Sequence, residues 1–168
     1  VYFIFQPAEE GGAGAAKMID EGLFADHQME TVWGMHNWPG LPAGEIAVSE
    51  GASMASADHF EMTVTGRGGH AAMPHQAIDP VLAAAHIVQA LQMLVSRHTN
   101  PQDSSVLSIT TIHGGSAFNV IPDEVMLGGT VRAFRPETRA RLEQSLRDVS
   151  RLTAESHGCT SSLDWRQG

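Results

Sequence analysis

Two carboxylates stand side by side at Glu9 and Glu10, in the run Gln6-Pro7-Ala8-Glu9-Glu10-Gly11-Gly12. Five apolar residues, Val1-Tyr2-Phe3-Ile4-Phe5, precede them and predict a short buried strand that Pro7 stops. Like charges this close resist joint ionisation unless a cation or a shared proton relieves them. A metal ligand beside a general base explains the adjacency best. A solvated loop, or the first turn of the following helix, where acids are favoured anyway, is the plainer alternative. His36 ends a second apolar run, Thr31-Val32-Trp33-Gly34-Met35. If the two strands are neighbours, their carboxyl ends face one crevice, the usual ligand position in an open α/β sheet. Imidazole nitrogen and carboxylate oxygen suit zinc, manganese or cobalt. A hydrogen-bonded histidine at a strand end is equally consistent with His36.

Two further polar interruptions carry chemistry. Gly66-Arg67-Gly68-Gly69-His70-Ala71-Ala72-Met73-Pro74-His75 is glycine-rich, yet its spacing departs from a dinucleotide loop. His70 can donate to a developing oxyanion, or be a turn histidine paired with backbone. Gly114-Gly115-Ser116-Ala117-Phe118-Asn119-Val120-Ile121-Pro122-Asp123 places Asn119 between two strands. Its amide can serve a carboxylate or carbonyl, or form an Asx turn. Arg132, inside the next strand, either snorkels at the sheet edge or forks onto a carboxylate.

The elements that must position these residues follow from periodicity. Gly14 to Glu21 predicts a helix closed by Gly22, with Ala15, Met18 and Ile19 inside, and Gly44 to Glu50 a weak strand. A boundary falls near Gly51 to Asp58, where the pattern changes. Phe60, Met62 and Val64 then alternate with polar residues, as in a half-buried strand. Asp79-Pro80 starts a helix running to about Arg97, with Ala84, Val88, Leu91 and Val95 inward. Val106 to Ile112 and Val125 to Phe134 predict strands. Pro136-Glu137 opens a helix with Leu142, Leu146, Val149 and Leu152 on one side and Arg139, Arg147 and Arg151 largely on the other, and Thr160 to Trp165 closes as a strand. Strand, helix, strand, strand, helix, strand is the order of a ferredoxin-like layer pair, a four-stranded antiparallel sheet with both helices on one face. The expected organisation is an α/β portion over residues 1–56, then this α+β module over 57–168. A free helix or edge strand in the second is where two copies can join.

Composition bounds the functions. The chain has 168 residues, 42% hydrophobic and 17% charged, within the globular range. Its net charge of -9 argues against nucleic acid. Nine acids and one lysine occupy residues 1–60, against ten acids and nine arginines afterwards, so bound cations would offset the first portion. No apolar run has transmembrane length, and Cys159, the only cysteine, excludes an internal disulfide and a thiolate cluster. A reducing, cytoplasmic setting is expected. The start inside a core-like strand predicts an internal piece of a longer protein, whose targeting segment, if any, lies upstream.

Taken together, the four motifs resemble the M20 metallopeptidase family, in particular its amidohydrolase branch of N-acyl amino acid, hippurate and auxin-conjugate hydrolases. Gln6 to Ala15 is similar to the double-glutamate segment. Gly34-Met35-His36-Asn37 with Leu41-Pro42-Ala43-Gly44 is similar to the next metal-ligand segment. Gly66 to His75 resembles the lid histidine loop, and Gly114 to Asp123 the asparagine loop before Gly129-Thr130-Val131-Arg132. The resemblance implies a catalytic-domain part and a lid through which homodimers pair. It implies two divalent metal ions, usually zinc, with manganese, cobalt or nickel in some members. Glu9 then corresponds to the general base, Glu10 and His36 to metal ligands, and His70 to the lid histidine that reaches the partner's site. Asn119 and Arg132 correspond to groups holding an N-acyl amino acid or small peptide by its carboxylate. The upstream histidine and Gly-Cys-Gly-His ligand segments and the distal histidine are absent, so the 168-residue piece alone is expected to be inactive. A dimerisation or binding module without catalysis, and a dipeptidase or aminopeptidase with the same centre, are the competing readings.

Overall fold

In the computed structural model, residues 1–9 and 14–168 are described. They form two compact units, one over residues 1–53 and the other over 54–167.

The first unit contains two short helices, α1 (Gly14–Asp20) and α2 (Leu23–Asp26). Gly22, at φ 102°, takes the left-handed conformation that turns the chain between them. Its N–H donates to the Ile19 carbonyl at 3.0 Å, and its own carbonyl accepts from Ala25 N–H at 2.9 Å. The helix is thus closed where expected, but its inner stripe is not formed: Ala15 and Ile19 are exposed and Met18 is half-buried. The strands expected at residues 1–5, 31–36 and 44–50 are not formed either. Phe3, Phe5, Trp33, Met35 and Val48 are all exposed. A strand exists only through its ladder, and an apolar run without a paired neighbour and a covering layer gains nothing from extension.

The second unit is the layer pair that the element order predicts. Strands β1 (Asp58–Thr65), β3 (Ser105–Gly114), β5 (Glu124–Ala133) and β6 (Thr160–Arg166) form one sheet in the order β3-β5-β1-β6. Every neighbouring pair is antiparallel. A separate two-stranded ladder joins β2 (Gly69–His70) to β4 (Val120–Ile121). On β1 the burial alternates without a break: Asp58, Phe60, Met62 and Val64 point inward, their neighbours outward. On β5, Val125, Leu127, Val131 and Ala133 also point inward, with the alternation broken at Gly128 and Gly129. Helices α3 (Pro80–Leu91) and α5 (Pro136–Ser156) cover that inner face and pack on each other.

Local chemistry explains the helix ends. Asp79 Oδ1 accepts from the N–H of Val81 at 2.8 Å and of Leu82 at 3.3 Å, and Pro80 occupies the first helical position. Helix α3 stops at Leu91. The helix expected to reach Arg97 is interrupted at Gln92 and resumes as α4 (Met93–Ser96). Helix α5 ends in a Schellman turn: Gly158 is at φ 74°, and the N–H groups of Cys159 and Gly158 donate to Ala154 and Glu155 carbonyls, both at 2.9 Å. Its buried stripe is Leu142, Leu146, Ser150 and Ala154, a strict four-residue step. Leu152, expected inside, is 55% exposed, because that step carries the stripe away from it.

Strand β3 has one residue more than β5 across from it. Ile109 pairs with Gly129 and Thr111 with Gly128, leaving Thr110 as the bulge. Among the described residues no helix is long and apolar enough to cross a membrane.

Candidate functional site

The described candidate residues of the first unit, Glu9 and His36, lie on irregular backbone. Residues 7–9 form a turn in which Ala8 has φ 49°, the only positive φ on a non-glycine residue among those described. For alanine this conformation costs about 1–2 kcal/mol. Such outliers cluster at functional sites, and this one immediately precedes Glu9, whose side chain is exposed. Glu10 lies outside the described residues.

His36 is exposed and its Nδ1 lies 2.7 Å from the Asn37 carbonyl oxygen. A carbonyl only accepts, so Nδ1 carries the proton and Nε2 keeps its lone pair. That is the tautomer a metal-ligating histidine adopts when backbone holds its other nitrogen. The Trp38 ring stands edge-on to the imidazole, with centroids 6.4 Å apart. The donor chemistry of His36 therefore fits a divalent ion. Among the described residues, however, no group of three or more His, Cys, Asp or Glu side chains is gathered around a common point. These residues by themselves do not make a metal centre.

In the second unit the structure joins two of the three candidates. His70 sits on β2 opposite Val120 of β4, and the Ala71 N–H donates to the Asn119 carbonyl at 3.0 Å. The histidine and asparagine loops are thus one cluster, and both side chains are exposed. The Ala72 N–H donates to His70 Nδ1 at 3.1 Å. A backbone amide only donates, so the neutral ring carries its proton on Nε2 and presents that N–H as a donor.

Arg132 is not part of this cluster. Its strand leaves the asparagine loop at Glu124, eight residues away, about 27 Å at the usual strand rise. It lies on the exposed face of an interior strand, opposite Val106, at the end where the chain enters the sheet and Ser56 N–H donates to the Ala133 carbonyl at 2.8 Å. The sheet-edge position expected for a snorkelling arginine is not the one it occupies.

Sequence reasoning missed the polar group that anchors this end. Asp58 is fully buried and paired with Arg139 of α5, whose Nε donates to Asp58 Oδ2 at 2.7 Å. Hydrogen bonding to Asp58 is the main reason the guanidinium is pushed above its usual range, against an opposing desolvation. Arg139 was expected on the solvated side of α5. The available signal was a carboxylate in register with Phe60, Met62 and Val64.

An antiparallel sheet covered on one face by two helices, with a His/Asn loop cluster at one end, defines the class: a ferredoxin-like module that follows an irregular unit. The chain belongs to the M20 peptidase family, whose peptidase dimerisation domain matches residues 55–157, more than half of its length. It is 43% identical over 165 residues to the N-acetylcysteine deacetylase of Bacillus subtilis, covering 98% of this chain and 43% of that protein. It is 42% identical over 153 residues to the hippurate hydrolase of Campylobacter jejuni, covering 91% and 40%. A solved structure from Bacillus subtilis, described as a dinuclear metal-binding peptidase of the M20 family, superposes with a TM-score of 0.74 at 37% identity, over 97% of this chain and 39% of that one. The chain thus spans about two fifths of the length of these relatives.

Proposed function

We propose that the protein to which this chain belongs is a metal-dependent amidohydrolase that removes the acyl or aroyl group from N-acyl amino acids. Residues 1–56 contribute to its hydrolytic domain and residues 57–168 form the lid through which two copies pair. The observation that carries this reading is the joined His70 and Asn119 loops, in a chain alike over 98% of its length to a protein named for deacylating an N-acyl amino acid.

The roles follow from chemistry. Glu10 and His36 would be among the ligands of two divalent ions, zinc or else manganese, cobalt or nickel, which supply Lewis acidity for an attacking water. Glu9, exposed on a strained turn, accepts the proton of that water and passes it to the leaving amine. His70 offers its Nε2–H to the developing oxyanion. The Asn119 amide and the Arg132 guanidinium bind the substrate, Arg132 by forking onto its free carboxylate.

Along β5, Arg132 stands about 27 Å from Glu124, where the strand leaves the loop cluster, and this is longer than an acyl amino acid. One copy therefore cannot place Arg132 and His70 on the same substrate, and a complete site takes them from two copies. The lid has a side suited to such pairing. The outer edge of β3 is unpaired within the sheet, and nearby α3 leaves Val81 and Leu82 about half exposed. On the other side, α5 presents Arg147, Arg151 and Glu155, already engaged in ion pairs.

The test is hydrolysis by the whole protein of N-acetyl and N-benzoyl amino acids against free dipeptides, before and after chelation. Metal-dependent release of the acyl group supports the reading. Equal turnover after the metal is stripped, or cleavage of free dipeptides alone, overturns it.

A further inference from the structure

Asp123 closes the asparagine loop and grips the histidine loop with both its side chain and its backbone. Its Oδ1 accepts the Gly68 N–H at 2.8 Å across 55 positions of sequence. Its own carbonyl accepts the Gly66 N–H, also at 2.8 Å. The two donors flank Arg67, whose N–H and carbonyl exchange hydrogen bonds with Ile78 at 2.8 Å each. The approach is close enough to require glycine at 68: a Cβ there would lie 2.6 Å from the Ile121 carbonyl oxygen and 3.1 Å from Asp123 Oδ1. Two residues beyond Gly68, His70 begins the tight turn in which Met73 N–H donates to its carbonyl at 2.8 Å and Ala72 N–H to its Nδ1. The orientation and tautomer of His70 thus depend on backbone that Asp123 holds in place.

We propose that Asp123 is a positioning residue for His70 and Asn119. It fixes the histidine loop against the asparagine loop, so that the His70 ring stays the Nε2–H tautomer aimed outward. It touches no substrate itself. The inference rests on the reading of His70 as a donor in the reaction, and the experiment separates the two.

In the whole protein, Asp123→Ala removes the acceptor, Asp123→Glu keeps the charge but moves the oxygen by a methylene, and Asp123→Asn keeps an oxygen able to accept from Gly68 N–H. Asp123→Ala and Asp123→Glu are expected to lower kcat about ten- to a hundredfold with KM little changed, as small misplacements of reacting groups do. Asp123→Asn is expected to retain most of the turnover. The imidazole nitrogen spectrum of His70 should show the Nε2–H tautomer in the parent and Asp123→Asn, and an averaged ring in Asp123→Ala. Should Asp123→Ala fail to fold, Asp123→Glu is read in the same way. Unchanged kcat and an unchanged His70 spectrum in Asp123→Ala, with His70→Ala impaired, overturn the role of Asp123. Unchanged turnover in His70→Ala overturns instead the reading of His70, and the nitrogen spectrum still decides whether Asp123 orders the ring.

Discussion

Asp58, at the start of β1, and Arg139, in the first turns of α5, form a bidentate ion pair with the carboxylate fully buried. Ser56 Oγ adds a third donor to the carboxylate at 3.3 Å. The pair clamps the helix layer to the point where the chain enters the sheet. Asp58→Ala takes away the buried carboxylate to which two guanidinium nitrogens and Ser56 Oγ donate. Asp58→Ala is therefore expected to destabilise the second unit by about 3–5 kcal/mol in urea unfolding. Replacing both residues with apolar ones of similar size should cost less than the single change. A loss under about 1 kcal/mol for Asp58→Ala would show that the pair does not anchor this end.

Cys159 yields a pH dependence of known sign. Burial raises its thiol above the ordinary 9.0, and Asp79 adds to the shift. Above pH 9 the unfolded chain releases this proton while the folded chain holds it, so the unfolded state binds fewer protons and stability falls as pH rises. Below pH 9 the thiol is protonated in both states and contributes no slope. The expected outcome is a stability gap between the parent and Cys159→Ala that narrows from pH 8 to pH 10.5. A constant gap would contradict it.

Gly129 lies beside the β3 bulge, where the Phe60 ring crosses the sheet. A Cβ at this position would lie 2.2 Å from the Ser108 carbonyl oxygen and 2.6 Å from Phe60 Cζ. Gly129→Ala must move a core ring or part the β3–β5 ladder. A loss of about 1–3 kcal/mol is expected, and Phe60→Leu in the same chain should recover part of it. Thermal unfolding of the two variants checks both statements.

The division of His70 and Arg132 between copies is tested by mixing. His70→Ala and Arg132→Ala should each abolish most turnover of the whole protein. Refolded together, half of the dimers carry one intact site of two, so activity should return to about a quarter of the parent's for a two-fold dimer. If both residues served one site from the same copy, no mixture would recover activity. Zero recovery despite confirmed heterodimers would therefore sink the two-copy site.

Much of the second unit was legible in the sequence because its signals are local. Asp79-Pro80 marks a helix start by its own capping hydrogen bonds, and the alternation from Phe60 to Val64 marks a face by the two-residue period of a strand. The strands expected before residue 57 are not formed, since Phe3, Phe5 and Trp33 name a buried environment without supplying it. Leu152 fell outside because a helix stripe can step by three or four, and packing against the sheet chose four.

Residue order and type alone determined that this chain carries a ferredoxin-like layer pair and the motifs by which it resembles the M20 peptidase family. Caps, turns and periodicities act over a few residues, and the order of elements leaves few ways to build a sheet. Only the tertiary structure decided which of the motifs' side chains meet. Gly68 and Asp123 are brought together across 55 positions, and Arg132 is carried to the far end of β5. Both outcomes are set by strand register and direction, which come from how the core packs.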